Sequence, residues 1–385
     1  MDSNQREAKK SKGVVDWSEL CIEVMQLILE SFTFPDFHRA RFVCRNWYKI
    51  SKSCVYKYPW LIIFPEKYSG NETCKLYDPR QDKTYETKNF GTELSQSTCL
   101  ASYGNWLLMM NQKLEFSILN VLSSERINLP RLKLRGKVKF RRPRNRGVVL
   151  VQGTDGGTEP ICHVYIKTGT LWIDEKTKDF VVSWIYNDEY LFCYKNGGDD
   201  SWWYLEGTKC LSVAYDDREQ KLYVYTCLDF IKILDFSGEK PKELVEENWH
   251  CLVPQPWERI RKRRIAVRSS GDVVVVLSLK GFPANQEERL FYVFKMNREG
   301  RKWERVESLG AEMLVFGDGL TLAASGKESD LIYFVAGDLW SPQSDAVSQS
   351  SAGVFDLKTA ESGWYQFPYC SSNDRWFVPE FGKKK

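Results

Sequence analysis

The residue types best suited to acid–base or metal chemistry near neutral pH are scarce in this 385-residue chain, which has three histidines, His38, His163 and His250. Two of them stand beside a cysteine, as Cys162-His163 and His250-Cys251. A thiolate next to an imidazole would make a nucleophile with its base, or part of a metal site. Neighbours on a strand point to opposite faces, however, so this adjacency assembles neither. No Gly-x-Ser-x-Gly elbow occurs. Gly317-Asp318-Gly319 reads as a turn, with no strand–glycine loop–helix around it, and Gly326-Lys327 lacks the earlier glycine of a phosphate loop. Carboxylates are plentiful but no spacing singles out a pair. The expectation is a protein that is not an enzyme, with no metal and no cofactor.

Charge offers a second kind of chemistry. The stretch 131–147 contains nine Lys or Arg and no acid. Within it Arg135, Lys137, Lys139, Arg141, Arg142, Arg144 and Arg146 are candidates for contact with an anionic partner, or for a nuclear-import signal. An exposed loop between strands accounts for the same residues, since Pro143 and repeated charge suit one. Arg261 to Arg264 and the Lys383–Lys385 tail are shorter runs of the same kind, and none has interleaved aromatics for stacking single-stranded nucleic acid.

The stretch most clearly built to meet another molecule is Asp16 to Trp47. Leu20, Val24, Ile28 and Phe32 recur every four residues with Leu27 beside them, which places an apolar stripe on one helix face. Asp16 three residues before Glu19 resembles a capping box, and Asp36 after Pro35 is placed to cap a second helix bearing Phe37, Ala40, Val43, Cys44 and Trp47. Two such helices are too small to stand alone without a metal, a disulfide or a partner, and ligand spacing is lacking. The stretch resembles an F-box. Leu20, Val24, Ile28, Leu29, Phe37, Val43, Cys44 and Trp47 fill the family's pattern, and Cys21 stands where the family has proline. The resemblance implies that Leu20, Cys21, Val24, Ile28, Leu29, Phe37, Val43, Cys44 and Trp47 dock a Skp-type adaptor and, through it, a cullin.

The elements after Pro59 have a different texture. The chain carries 14 Trp, 19 Tyr and 21 Phe, with frequent Val and few helical patterns, which favours an all-β body. A strand ending in Asp, Asn or Lys, a turn, and a second strand recur at Cys74–Lys88, Phe116–Pro130, Tyr190–Leu205, Ile231–Val245, Leu290–Val306 and Gly353–Pro368. Further hairpins precede most copies, at Leu100–Met110, Leu211–Thr226, Ile265–Leu279 and Leu320–Val335. Four strands per repeat describe the blades of a β-propeller, with six copies present and a spacing loose enough for seven. Val273–Leu279 is apolar on both faces, as a strand sandwiched between blades must be. Ring closure would bring Pro59–Phe64 against Arg375–Pro379.

This body resembles the plant F-box proteins with a KIB-type propeller. The resemblance runs over nearly the whole chain, through L-A-S-Y-G-N-W-L-L-M, F-R-R-P-R-N-R-G-V-V-L, L-W-I-D-E-K-T-K-D and R-W-F-V-P. Residues 151–170 look like additional chain there. The fold class expected is mainly β with a small N-terminal α module: a disordered basic N-terminus over 1–13, F-box helices over 14–58, the propeller over 59–382, and the lysine tail 383–385.

The resemblance implies a substrate-recognition subunit of an SCF-type cullin–RING ubiquitin ligase, whose propeller binds a protein target. The alternative is a nuclear protein that uses 131–147 on nucleic acid or an acidic partner. Eleven cysteines without a C-x-x-C pair, no apolar leader in the first twenty residues and no bilayer-length apolar run point to the nucleus or cytoplasm, with no membrane partner.

Overall fold

In the computed structural model the chain is described at residues 20–51, 54, 58–65, 72–91, 94–132, 139–141, 150–152, 158–160, 166–186, 188–198, 202–205, 209–228, 230–245, 249–250, 260–279, 290–297, 302–316, 321–323, 328–339, 351–367 and 374–379. Contacts divide it into two units, Met1–Tyr56 with Glu380–Lys385, and Lys57–Pro379.

The larger unit is a six-bladed propeller. Its first blade is built from both ends of the unit: β1 (Trp60–Ile63), β2 (Lys75–Asp78) and β3 (Lys83–Glu86) are joined by the last strand, Arg375–Phe377, numbered β29. That strand pairs antiparallel with β1 through Trp60↔Phe377, Leu61↔Trp376 and Ile62↔Arg375, closing the ring where the sequence places it. The second blade is β4 (Thr98–Tyr103), β5 (Trp106–Met110), β6 (Phe116–Asn120) and β7 (Arg126–Asn128). A small three-stranded sheet follows, β8 (Lys139–Arg141), β9 (Leu150–Gln152) and β10 (Thr158–Pro160). It is an excursion between blades, because β4 lies directly against the first strand of the third blade.

The third blade comprises β11 (Ile166–Ile173), β12 (Phe180–Tyr186), β13 (Tyr190–Lys195) and β14 (Trp203–Leu205). The fourth comprises β15 (Cys210–Asp216), β16 (Lys221–Thr226), β17 (Phe230–Asp235) and β18 (Lys242–Glu243), with β19 (Trp249–His250) also on β17. The fifth is β20 (Ile260–Val267), β21 (Val273–Leu279), β22 (Phe291–Asn297) and β23 (Lys302–Val306).

The sixth departs from a simple meander. β24 (Glu312–Val315) pairs antiparallel with β25 (Thr321–Ala323) but parallel with β26 (Leu331–Val335), after which β27 (Ser351–Asp356) and β28 (Ser362–Gln366) complete the sheet. The hairpin expected at Leu320–Val335 is therefore replaced by a crossover. The innermost strands touch in succession around the axis, β29 with β4, β4 with β11, β11 with β15, and β15 with β20.

Burial between blades explains the aromatic wealth. Phe116 and Trp202 of neighbouring blades meet at 5.1 Å, and Trp184 stacks on Phe192 at 4.3 Å. Such pairs add about 0.5–1.5 kcal/mol each beyond area burial. β21 divides its two faces as its composition requires. Val273, Val275 and Leu277 pack toward the fourth blade, and Val274 and Val276 toward the sixth. Gly353 sits where a Cβ would fall 2.5 Å from the Phe334 ring, so only glycine permits that approach.

The strand-ending Asp and Asn residues have one common function. Asp78, Asn120, Asp174, Asp216, Asp235 and Asp356 each accept a backbone N–H from two residues on. At five of them the residue four positions later, Asp82, Ser124, Lys178, Gln220 or Ala360, is left-handed. These Asx turns join first to second and third to fourth strands, so by the antiparallel order they share one face of the propeller. Accepting backbone N–H groups holds the Asp174 and Asp235 carboxyls below the usual range.

Candidate docking surface on the helical unit

The smaller unit has three short helices among its described residues: α1 (Ile22–Ser31), α2 (Phe34–Ala40) and α3 (Arg45–Ser51). α1 is rich in Leu, Met, Gln and Glu, which lose little rotamer freedom in a helix. It starts after Cys21, which makes no side-chain cap, and ends where Phe32 turns extended. α2 is capped by Thr33, whose hydroxyl accepts from Asp36 N at 3.2 Å. Asp36, expected to be the cap, lies inside the first turn, where its carboxylate accepts from the Thr33 hydroxyl and pairs with Arg39. The reason is that Pro35 suits the first helical positions, which moves the start before it.

The single helix expected from Phe37 to Trp47 is two helices. Residues 41–44 form a turn in which Phe42 N bonds Arg39 O and Val43 N bonds Ala40 O, tighter than α-helical spacing. Cys44 starts the next helix, its sulfur accepting from Trp47 N at 3.5 Å. This break throws Phe42 and Val43 outward, 84 % and 65 % exposed.

The unit's own core is Met25, Leu29, Phe37, Ala40, Ile50 and Cys54, with Leu20, Phe32 and Trp47 packed partly against it. Burial, with the charge of Glu30 behind it, pushes the Cys54 thiol up to about 11, so it is a protonated core residue. Of the expected docking residues, Leu29 and Phe37 are fully inside, 0 % and 1 % exposed. They form the core beneath the surface, because the inward stripe of α1 is Met25–Leu29, one step around from Leu20–Val24–Ile28. Cys21, Val24 and Val43 are exposed, and Leu20, Ile28, Cys44 and Trp47 are half-buried.

Three exposed apolar residues lay outside the expected set: Ile22, Leu27 and Phe42. The available signal was that the apolar residues of α1 cover a wider arc than one core can absorb, leaving only the face of Glu23, Gln26 and Glu30 polar. What remains after the core is filled is a set of exposed apolar side chains, Ile22, Val24 and Leu27 on α1 and Phe42 and Val43 in the turn after α2, which suit binding and include no nucleophile–base pair.

The other candidates are not drawn together. His38 is on α2 and His250 on β19. His163, Cys162 and Cys251 lie outside the described residues, as do Gly317–Gly319, Gly326-Lys327 and, in the basic run, Arg135, Lys137, Arg142, Arg144 and Arg146. Lys139 and Arg141 lie on β8.

The F-box domain family matches residues 17–58, and the KIB1-4 beta-propeller family matches residues 76–356. Among relatives in Arabidopsis thaliana, At2g33200 is 42 % identical over 390 residues, spanning 96 % of this chain and 99 % of its own length. F-box only protein 7 is 39 % identical, spanning 98 % of each chain, and F-box protein KIB4 is 30 % identical, spanning 99 % of each. An F-box joined to a β-propeller is, in general, the organisation of an SCF substrate-recognition subunit, and proteins so built are typically adaptors rather than enzymes. With both families matched and relatives aligned end to end, the chain belongs to the F-box proteins that carry a KIB1-4 β-propeller.

Proposed function

We propose that α1 and the α2–α3 turn dock a Skp-type adaptor of a cullin–RING ligase, while the propeller holds a protein target for ubiquitination. The observation that supports this most is the exposure of Ile22, Val24, Leu27, Phe42 and Val43 on a unit that has its own core. Exposed apolar residues gathered on so small a unit favour burial against a partner, and a few central aliphatic and aromatic anchors dominate such interfaces. Cys21 is exposed as well, Ile28, Cys44 and Trp47 are half-buried, and Leu29 and Phe37 belong to the core that holds the helices together. The ligase chemistry belongs to the assembled complex, and this chain contributes proximity by raising the target's effective concentration. Cys21 and Cys227, exposed thiols outside any disulfide, suit a reducing nucleus or cytoplasm.

The test is co-purification of the full chain with a Skp-type adaptor, comparing wild type with Leu27→Glu/Phe42→Glu. Both positions are exposed, so the variant keeps its fold, and a desolvated charge should cut binding by at least a hundredfold. A folded wild type that captures no adaptor, or a variant that binds as well as wild type, would overturn the proposal.

A further inference from the structure

The outermost strand of a propeller blade leaves one row of backbone N–H and C=O groups open, which is a template for pairing with another chain. Among the described residues, the first five blades blunt that edge with charge or brevity. β3 carries Lys83 and Glu86, and β23 carries Lys302, Glu304 and Arg305. β7 and β14 are three residues long, and β18 is two. The sixth blade ends on β28, Ser362-Gly363-Trp364-Tyr365-Gln366, which runs five residues with no charge and no proline. All but Tyr365 are exposed, Trp364 at 38 %.

This edge is held firmly in place. β28 pairs with β27 along its whole length, from Phe355↔Ser362 to Ser351↔Gln366. On one face Tyr365 meets Tyr77 at 5.9 Å and Trp376 at 5.8 Å, both of the first blade. On the other, Trp364 meets Phe334 edge-on at 5.0 Å. The bond from Asp356 N to Glu361 O at 2.9 Å sets the alternation of the ladder. It turns the backbone of Gly363 and Tyr365 toward β27, and that of Ser362, Trp364 and Gln366 toward the open side. Ser362 and Gln366 make no hydrogen bond on that side among the described residues.

Charge is the common defence of an edge against its own copy, because self-pairing sets like charges opposite each other. β28 lacks that defence, and its sequence complements itself when reversed about Trp364. Ser362 then faces Gln366 of the second copy, and Trp364 faces Trp364. Gly363 faces Tyr365, so an aromatic side chain covers a strand glycine. Glu361, the charge next to the strand, falls at opposite ends of the pair.

We propose that β28 pairs antiparallel with β28 of a second copy, joining two sixth blades into one sheet about a twofold axis at Trp364. The outward-facing residues 362, 364 and 366 each exchange both backbone bonds with their partner, and aromatic pairing at the axis adds to them. Two five-residue strands make a small contact, so the association is weak and depends on concentration. The pairing involves neither adaptor docking nor target binding, so it stands or falls apart from the proposed function.

The experiment is sedimentation equilibrium of the full chain over about 1–100 μM, at low ionic strength where charges are least screened. The wild-type mass should climb toward twice that of the monomer. Ser362→Lys/Gln366→Lys sets lysine opposite lysine at both ends of the pair and should weaken it about tenfold or more. Ser362→Lys/Gln366→Glu sets lysine opposite glutamate at the same places, so it should pair at least as well as wild type. Both positions are exposed, and an unchanged near-UV circular dichroism spectrum establishes that each variant is folded. Association through the apolar residues of the helical unit would survive the lysine variant. A lysine variant that pairs as well as wild type, or a glutamate variant as weak as the lysine one, would overturn the proposal. So would a wild type that stays monomeric throughout, which would leave the edge to an extended segment of a different protein.

Discussion

Replacing Trp376 with alanine should open the propeller where its two ends meet. Trp376 is on the closing strand β29 and is 2 % exposed. Its Nε1 donates to Phe334 O at 2.8 Å, and its ring meets Tyr333 edge-on at 5.1 Å and Tyr365 at 5.8 Å. Trp→Ala in a core costs about 3–5 kcal/mol in lost transfer energy and cavity. The Phe334 carbonyl, left without its donor in a buried place, adds about 1–3 kcal/mol. A total of about 5 kcal/mol is a third or more of the roughly 5–15 kcal/mol that holds a typical native domain.

An unfolding entropy of about 2.1 cal/mol/K per residue over roughly 320 residues gives about 0.7 kcal/mol/K, so the propeller's Tm should fall by about 7 °C. Trp376→Phe keeps most of the packing and loses the hydrogen bond, so it should fall by only about 2–4 °C. Near-UV circular dichroism follows the propeller transition, because the aromatic clusters lie within it, and limited proteolysis should show cleavage near the C-terminal strand in Trp376→Ala first. An alanine variant melting within about 2 °C of wild type, or no lower than the phenylalanine variant, would refute this account of closure.

Three further outcomes are expected. Cys21 has φ −62°, inside the range that proline imposes, and its carbonyl accepts the N–H of Met25 at 3.0 Å, a bond that proline keeps. Cys21→Pro should therefore raise the thermal stability of the helical unit by about 0.4–1 kcal/mol and leave adaptor capture intact, read by melting and co-purification. Arg268 and Glu312 form a largely buried pair at 2.8 Å that joins the fifth and sixth blades, with Arg268 also bonded to Leu309 O. Glu312→Ala should cost about 3–5 kcal/mol in denaturant titration, and Arg268→Met/Glu312→Leu distinctly less than the sum of the single changes, because the lone buried charge is gone. Finally, Asp235 has its pKa depressed by hydrogen bonds from the backbone and side chain of Ser237, against burial. A depressed carboxyl stabilises fully above its unfolded pKa of about 3.9 and loses that contribution as pH falls through the folded value, so Asp235→Asn should flatten the decline in Tm below about pH 4 while leaving pH 7 nearly unchanged.

Much of the architecture is written in local pattern. A propeller blade is four short strands joined by tight turns, so its period appears as alternating apolar runs and Asx-turn residues, and Asp78, Asn120 and Asp356 stand where that pattern puts them. β21 is apolar on both faces because both faces meet a blade, which needs no tertiary knowledge to infer. The F-box pattern and its two amphipathic stretches are equally local.

Tertiary structure decided what local pattern leaves degenerate. Apolar residues at 37, 40, 43, 44 and 47 suit one continuous helix as well as two helices with a turn at 41–44, and packing of Phe37 and Ile50 into one core selects the second. The apolar arc of α1 is wider than one core needs, so periodicity alone does not say that Met25 and Leu29 go inward while Val24 and Leu27 stay out. The crossover of β24 to β26 in parallel has no sequence signature, because strand direction is set by which edge is free when the strand arrives. Four consecutive cations have no alternation to mark a strand. Only the ring of blades brings Lys262 of the fifth blade to Asp338 of the sixth and the Arg264 guanidinium to the Leu211 carbonyl of the fourth.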